Sequence, residues 1–201
     1  MQPVMDYCGQ VWTPHVDKGD LLMMESPLRS YTKRFAGFGG LNYWSRLKKA
    51  GIQSVQRRNE RFKILYFYKS LIGLVPLIQM EIKYDERKGR LFKLPKRTGN
   101  VVRIETLKDK SLPYVGAKLF NALPASIRNL DLDFLNFKFV LDCFLGCILD
   151  EPVIAGYNCT NLDISSHPSS SIIDWIRNLS LDEWTIDEYN LNNTDCDYID
   201  Y

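Results

Sequence analysis

Three carboxylates, Asp195, Asp197 and Asp200, lie close together within the last seven residues of this sequence. Nucleotidyl transfer by the two-metal route needs clustered carboxylates on a rigid turn, so that they hold two Mg²⁺ ions about 4 Å apart. A chain end does not fix that geometry, and a solvated acidic end is the simpler interpretation. The basic part of the chain has no such cluster, so we expect no polymerase active site.

Side chains that bind metals are few and scattered. The sequence has five cysteines and only two histidines, His15 and His167. Cys143 and Cys147 stand four residues apart on a predicted helix, but the second pair of ligands that a zinc site requires is missing. The odd number of cysteines argues against a disulfide framework. We therefore expect no bound metal and interpret these cysteines as buried structural thiols.

Motifs for nucleophilic catalysis and for nucleotide binding are also missing. The chain has no G-x-S-x-G, H-E-x-x-H, G-x-x-x-x-G-K-[ST] or G-x-G-x-x-G motif. The stretch AGFGG at 36–40 has the glycines of a phosphate loop but no Lys-Ser or Lys-Thr pair after it, and we interpret it as the end of a helix. The sequence thus predicts no catalytic residue, no cofactor and no enzyme.

Charge is distributed unevenly along the chain. Residues 1–150 hold 25 of the 26 lysines and arginines and 14 of the 24 acidic residues, a net charge of +11. Residues 151–201 hold one arginine and ten acidic residues, a net charge of −9. A basic body suits a polyanionic partner, because lysine and arginine that neutralise phosphates release counterions. Many soluble surfaces are basic without that role, so charge alone leaves both interpretations open.

The start of the chain, MQPVMDYCGQVW, lacks a basic segment followed by a long apolar one, so we expect no signal peptide. The longest apolar stretch, 137–149, is interrupted by Lys138 and Asp142 and is too short to cross a bilayer. The sequence therefore predicts a soluble intracellular protein, in cytoplasm or nucleus, without membrane contact.

Three helices are predicted in the first half of the chain. Apolar residues recur at spacings of three and four over 17–37, which predicts a helix with a kink or break at Pro27, because proline removes a backbone donor. A short basic helix follows at 42–49 and ends at Gly51. The third and strongest helix covers about 55–75.

The third helix has an unusual charge pattern at its start. Ser54 is its predicted N-cap, Pro76 is predicted to end it, and Tyr68 lies on its apolar stripe and is predicted to be core. Four cations in its first turns lie unfavourably at the positive end of the helix dipole. A protein carboxylate such as Glu60, or a phosphate, would offset that cost. The four cations are Arg57, Arg58, Arg61 and Lys63.

A change of pattern follows in the second half. Between 86 and 110, short β-like runs alternate with turn residues, which predicts a two-stranded ribbon with Lys96 and Arg97 near its tip. Further helices are predicted at about 117–122 and 133–149. The second of these has an apolar stripe formed by Phe134, Phe137, Leu141, Phe144 and Ile148.

The last part of the chain has a different composition, rich in Ser, Asn and Asp. The run SSHPSSS at 165–171 is typical of a linker, and 172–186 contains one or two amphipathic turns. The sequence therefore predicts a mainly α fold. A small helical body with a short two-stranded β ribbon occupies 1–150, and a flexible, acidic, partly disordered C-terminal tail occupies 151–201.

Phrases spread along the chain resemble the region that follows the palm in reverse transcriptases of non-LTR, or LINE-type, retrotransposons. The resemblance covers about residues 3–177, and the order and spacing of the phrases correspond, which makes it more specific than any single motif. The phrases are DYCGQVWTPH (6–15), SYTKRF (30–35), LNYWSRL (41–47), SVQRRNERFKILYFYKSLIGLVP (54–76), TGNVVRIETLKDKSLPYVGAKLFNALPASIRNL (98–130), DEPVIAGY (150–157) and SIIDWI (171–176).

The resemblance implies a part of an RNA-directed DNA polymerase without its catalytic residues. In this family those residues, including an aromatic-x-Asp-Asp turn, lie upstream of the matching region, so the chain is expected to be a truncated C-terminal portion. What remains corresponds to the thumb and post-thumb extension, which helps to grip template RNA or DNA. The implied partners are the RNA or DNA backbone and the missing polymerase palm.

Nucleic-acid binding through basic helices is therefore the leading hypothesis. Aromatic residues such as Tyr31 and Phe35 alternate with cations, and aromatics can stack on bases while lysine and arginine follow the backbone. The alternatives are a helical protein-interaction scaffold, or a relic with no nucleic-acid role. The residues predicted to contact phosphate are Lys33, Arg34, Arg57, Arg58, Arg61, Lys63, Lys96 and Arg97.

Overall fold

The computed structural model describes residues 18–75, 84–85, 91–92, 111–151 and 171–179. Within these ranges the chain is mainly helical, which confirms the predicted fold class at that level. The helices are α1 (Lys18–Thr32), α2 (Tyr43–Ala50), α3 (Val55–Leu71), α4 (Leu112–Ala122), α5 (Ala125–Arg128), α6 (Phe134–Gly146) and α7 (Ile172–Leu179), and two short strands are β1 (Tyr84–Asp85) and β2 (Leu91–Phe92).

Local sequence sets both ends of α2 and the start of α3, as predicted for Gly51 and Ser54. Asn42 caps α2, because its side-chain oxygen accepts a hydrogen bond from the Ser45 N–H at 2.8 Å. Gly51 ends α2 in the left-handed conformation, with φ of 64°. Ser54 caps α3 by accepting from the Arg57 N–H at 3.1 Å.

The α1 helix is continuous through Pro27, so the break expected there does not occur. Tertiary contacts hold the helix on both sides of the proline. On one side the buried Glu25 carboxylate accepts a hydrogen bond from the Tyr43 hydroxyl at 2.5 Å, and on the other Thr32 is fully buried. These contacts outweigh the lost backbone donor. The helix also ends at Thr32, before the predicted end at Gly37.

The α3 helix ends at Leu71, four residues before the predicted end at Val75. Gly73 follows with φ of 77°, and its N–H donates to the Ser70 carbonyl at 3.3 Å. The Leu74 N–H donates to the Lys69 carbonyl at 2.9 Å, which completes a Schellman motif. The glycine therefore ends this helix, and not Pro76.

Among the described residues, the larger of two apolar clusters joins α3, α4, α5, α6 and α7, and we call it the large core. It consists of the buried apolar residues within 64–68, 115–127, 137–148 and 172–176. The Tyr68 ring stacks on the Phe137 ring with centroids 3.6 Å apart, so the prediction that Tyr68 is core is confirmed.

Close approach of α4 to α3 depends on Gly116. A Cβ atom added at this glycine would lie 2.9 Å from the Cβ of Phe67, closer than real Cβ contacts come. Only glycine therefore allows the two backbones to pack at this distance.

The smaller cluster joins α1, α2 and the start of α3, and we call it the small core. Its buried members are Leu28, Tyr43, Trp44, Leu47 and Val55.

The α7 helix belongs to the body of the protein, although it was predicted to lie in a flexible tail. Ile172, Trp175 and Ile176 are buried in the large core. The Ile172 N–H donates to Glu60 at 2.7 Å, and the Trp175 indole N–H donates to the Glu151 carbonyl at 2.8 Å. Apolar burial thus places residues 171–179 with the body, and the other residues of the predicted tail beyond Glu151 lie outside the described ranges.

A two-stranded antiparallel pair is formed by β1 and β2, with Tyr84 opposite Phe92. The β2 strand lies in the run RLFKL that was assigned to the predicted ribbon, but its partner precedes it in the sequence. Lys96 and Arg97, placed at the tip of the predicted ribbon, lie outside the described residues.

Candidate nucleic-acid interface

Arg57, predicted to contact phosphate, is an interior residue with 1% of its surface exposed. Its guanidinium donates to the carbonyl of Leu149 at 2.8 Å and to that of Ile148 at 3.5 Å. Its Nε lies 3.8 Å from the Asp150 carboxylate. Arg57 therefore joins α3 to the segment after α6, and it is not accessible to a nucleic acid.

Lys63 is also interior, with 1% of its surface exposed. Burial lowers the pKa of its amine from the ordinary 10.5 to about 8, an effect that the nearby Glu60 carboxylate partly opposes. A buried amine cannot reach a phosphate on the surface, so Lys63 is removed from the set of phosphate contacts.

Arg61 forms a two-point ion pair with Asp142 of α6. Its Nε and Nη2 lie 2.5 and 2.7 Å from the two carboxylate oxygens. This pairing joins α3 to α6 and satisfies the strongest donors of the guanidinium. Arg58, next to Arg57, is half-buried.

Two carboxylates supply the negative charge that the basic start of α3 requires. Asp150 accepts from the Ser54 N–H at 2.5 Å and from the Ser54 hydroxyl at 2.8 Å. Glu25 accepts from the Gln56 N–H at 3.0 Å. Glu60, proposed for this role from the sequence, interacts favourably with Arg57 and Lys63, and it also caps α7 through Ile172. The helix N-terminus is thus occupied by protein groups, and its charge pattern does not indicate a phosphate site.

Lys33 and Arg34 are exposed, in the turn that follows α1. Two further exposed cations, Lys48 and Lys49, lie at the end of α2. The Lys49 amine donates to the Gly37 carbonyl at 3.1 Å, so the end of α2 lies against this turn. The structure therefore places the helix end with two cations that were not predicted against the turn with two that were.

The turn between α1 and α2 is held in place by an arginine from α2. Arg46 is 1% exposed, and its Nε donates to the Thr32 hydroxyl at 3.2 Å. Its Nη1 donates to the Leu41 carbonyl at 2.7 Å. One buried side chain thus fixes both ends of the turn, which gives the exposed cations a rigid support.

Three aromatic rings accompany these cations. Tyr31 contacts Phe35 edge-to-face with centroids 5.0 Å apart, and Phe35 contacts Phe38 in the same way at 5.4 Å. The Lys49 amine lies 4.8 Å from the centroid of the Phe38 ring. We call the set of Tyr31, Lys33, Arg34, Phe35, Phe38, Lys48 and Lys49 the α1–α2 surface.

No acidic residue occurs between 26 and 59, a stretch with eight lysines and arginines. The field of the α1–α2 surface is therefore not offset by carboxylates of its own segment. This acid-free stretch is the sequence signal that would have found Lys48 and Lys49. The contact of Lys49 with Gly37 could not be predicted, because it depends on the path of the turn.

Other kinds of site find no support in the part of the chain that the structure describes. There, no group of three or more His, Cys, Asp or Glu side chains is placed to hold a metal ion. None of the described helices is both long and apolar enough to cross a membrane.

Comparison of the chain with protein-family models, with curated proteins and with solved structures finds no match. The resemblance to reverse transcriptases thus stays a prediction.

Proposed function

We propose that this chain binds the backbone of RNA or DNA through the α1–α2 surface, as the non-catalytic C-terminal region of a non-LTR retrotransposon reverse transcriptase. The observation that carries the proposal is a set of four exposed cations in a stretch without acidic residues, two on a turn that Arg46 fixes and two at the end of α2 that lies against this turn. Phosphate contacts of this kind position a nucleic acid without reading its sequence.

The physical basis of binding is counterion release. Log affinity falls linearly with log salt concentration, and each phosphate that a cation neutralises adds about 0.7 to 0.9 to the magnitude of this slope. Lys33, Arg34, Lys48 and Lys49 together therefore predict a slope of roughly 3. Arg57 and Lys63, being buried, contribute nothing to it.

Fluorescence anisotropy of labelled single-stranded RNA and of an RNA–DNA hybrid, at several salt concentrations, tests the proposal. The informative variant is Lys33→Gln with Arg34→Gln. Its matched control is Lys118→Gln with Arg177→Gln, which removes two exposed cations from α4 and α7.

We expect the first pair to lower the slope by about 1.5 and the control pair to leave it unchanged. Equal losses from both pairs would show that net charge, and not this surface, governs binding. No binding at low salt by the folded protein would refute the proposal.

A helical protein-interaction scaffold is the second candidate, and one observation favours it. Leu135 and Phe139 lie one helical turn apart on α6 and are 69% and 40% exposed. In this function the acidic C-terminal residues would mask the basic body. A chain that ends at Leu179 keeps α7 in the large core, and it should bind polyanions more tightly if the acids beyond that point compete with phosphate.

A further inference from the structure

Tyr31 is an exposed aromatic residue that neither core uses. It is 43% exposed on the last turn of α1, and the small core is formed by other residues. Tyr31 belongs to the apolar repeat over 17–37, whereas the buried side chains among those that the structure describes in α1 are Glu25, Leu28 and Thr32. Packing of a core therefore does not explain this ring.

The contacts of the ring leave aromatic surface uncovered. The Tyr31 and Phe35 planes meet at 78°, an edge-to-face arrangement. In such a pair each ring keeps at least one face that its partner does not cover. The neighbouring rings Phe35 and Phe38 are half-buried, so Tyr31 offers the most accessible face of the three.

The cations lie next to this face along the chain. Lys33 and Arg34 follow Tyr31 directly and are exposed, and the Arg34 N–H donates to the Tyr31 carbonyl at 3.0 Å. The end of α1 and the turn after it thus carry one exposed ring and two exposed cations within four residues. An aromatic face beside a cationic track is the arrangement that holds unpaired strands, since every base has a π face.

Resting on the proposed function, we infer that the α1–α2 surface selects single-stranded nucleic acid, with Tyr31 stacking on an unpaired base. In a duplex the faces of the bases are covered by their neighbours, so a duplex offers this surface only phosphates. The selected class is an unpaired strand of RNA or DNA of any sequence, because stacking tolerates all bases.

The experiment compares Tyr31→Ala with the unchanged protein on four 12-nucleotide probes. These are single-stranded RNA, single-stranded DNA, a duplex, and an abasic strand that keeps the phosphates and lacks bases. We expect Tyr31→Ala to weaken binding of the two base-containing single strands by roughly 5- to 100-fold. Its affinity for the duplex and for the abasic strand should not change. Different losses on RNA and DNA would show which strand the surface prefers.

Two further variants separate stacking from a structural effect. Tyr31→Trp keeps an aromatic face and should keep tight binding of single strands. Phe139→Ala removes an aromatic side chain of similar exposure, 40%, from α6 and should leave all affinities unchanged.

Equal affinity of Tyr31→Ala and the unchanged protein for single strands would overturn the inference and leave phosphate binding intact. An equal loss on all four probes would also overturn it, because a lost base contact cannot weaken abasic binding. The proposed function fails on a different result, namely unchanged binding by the variant with both Lys33→Gln and Arg34→Gln.

Discussion

The large core and the small core are stabilised in different ways. The large core is an apolar interior, where rings and aliphatic side chains from five helices pack together. The small core has five buried apolar residues, and the buried Glu25 accepts a hydrogen bond from one of them, Tyr43. All buried polar side chains among the described residues lie between 25 and 63, namely Glu25, Thr32, Arg46, Ser54, Arg57, Asn59 and Lys63.

The two regions therefore differ in the kind of contact that stabilises their buried interior. Apolar burial is non-directional, so the large core tolerates small shifts and loses stability mainly when a cavity forms. Buried polar groups need partners at defined positions, and a lost partner leaves a desolvated group unpaired. The N-terminal region should therefore respond to polar substitutions and the large core to changes of volume.

The largest effect is expected from a cavity in the large core. Leu141 is fully buried there, and Leu141→Ala should lower the free energy of unfolding by about 3 to 5 kcal/mol. The matched change in the small core, Leu47→Ala, should cost about 2 to 3 kcal/mol, because fewer apolar neighbours lose contacts. Urea unfolding measures both. Equal losses would contradict the division into two kinds of core.

The next effect concerns the carboxylate that connects α1, α2 and α3. Glu25→Ala leaves the Tyr43 hydroxyl and the Gln56 N–H without their acceptor and should cost about 2 to 3 kcal/mol. Thermal unfolding and amide exchange of α1 measure the loss. Ser26→Ala, at the exposed neighbouring position, is the control and should change little.

A double-mutant cycle sharpens this prediction. Tyr43→Phe removes only the hydroxyl that donates to Glu25, so the two changes should be strongly non-additive. Simple additivity would mean that the contact does not contribute to stability.

Burial raises the pKa of Glu25, so in the folded chain this carboxyl holds its proton to a higher pH than it does in the unfolded chain. The contribution of Glu25 to stability therefore falls as the pH rises above 4.5, the ordinary pKa of this carboxyl.

The third effect is a pH dependence of the free energy of unfolding, which is due to Lys63. Its folded pKa of about 8 lies below the ordinary 10.5, so between these values the unfolded chain holds more protons. Stability should therefore rise with pH in that window, by about 1 to 2 kcal/mol between pH 7.5 and 9.5.

Lys63→Met should abolish the rise, and the exposed control Lys118→Met should leave it unchanged. Chemical denaturation at each pH measures both. The window stops below pH 10, because burial raises the pKa of Tyr43 above its ordinary 10 and so lowers stability at higher pH. A rise that persists in Lys63→Met would assign the effect to another group.

Local features of the fold could be predicted from the sequence, because their rules are local. Gly51 sets the end of α2 and Ser54 sets the start of α3, as their residue types require. The stripe of α6 is buried at Phe137 and Leu141, since a period of 3.6 places them on one face.

Features that depend on distant partners could not be predicted. Arg57 looked like a surface cation, yet it is buried because it meets Leu149, 92 residues away in the sequence. Continuity of α1 through Pro27 likewise depends on contacts of Glu25 with α2 and α3. For the candidate interface, Lys33 and Arg34 were predicted, whereas Lys48 and Lys49 were missed because a turn brings them close.

The smallest effect concerns the buried amide of Asn59 on α3. This side chain is 1% exposed, and neither its Nδ2 nor its Oδ1 has a hydrogen-bond partner among the described residues. An unpaired buried amide lowers stability, and leucine has nearly the same shape without polar atoms. Asn59→Leu should therefore raise the free energy of unfolding by about 1 kcal/mol, measured by urea unfolding.

The control is Asn136→Leu at an exposed position of α6, which should change stability by less than about 0.5 kcal/mol. A higher free energy of unfolding for Asn59→Leu would show that buried polar groups, and not a shortage of apolar contacts, limit the stability of the N-terminal region. A loss at Asn59 would mean that a bound water satisfies the amide. The polar interior would then stabilise this region where the large core relies on apolar packing.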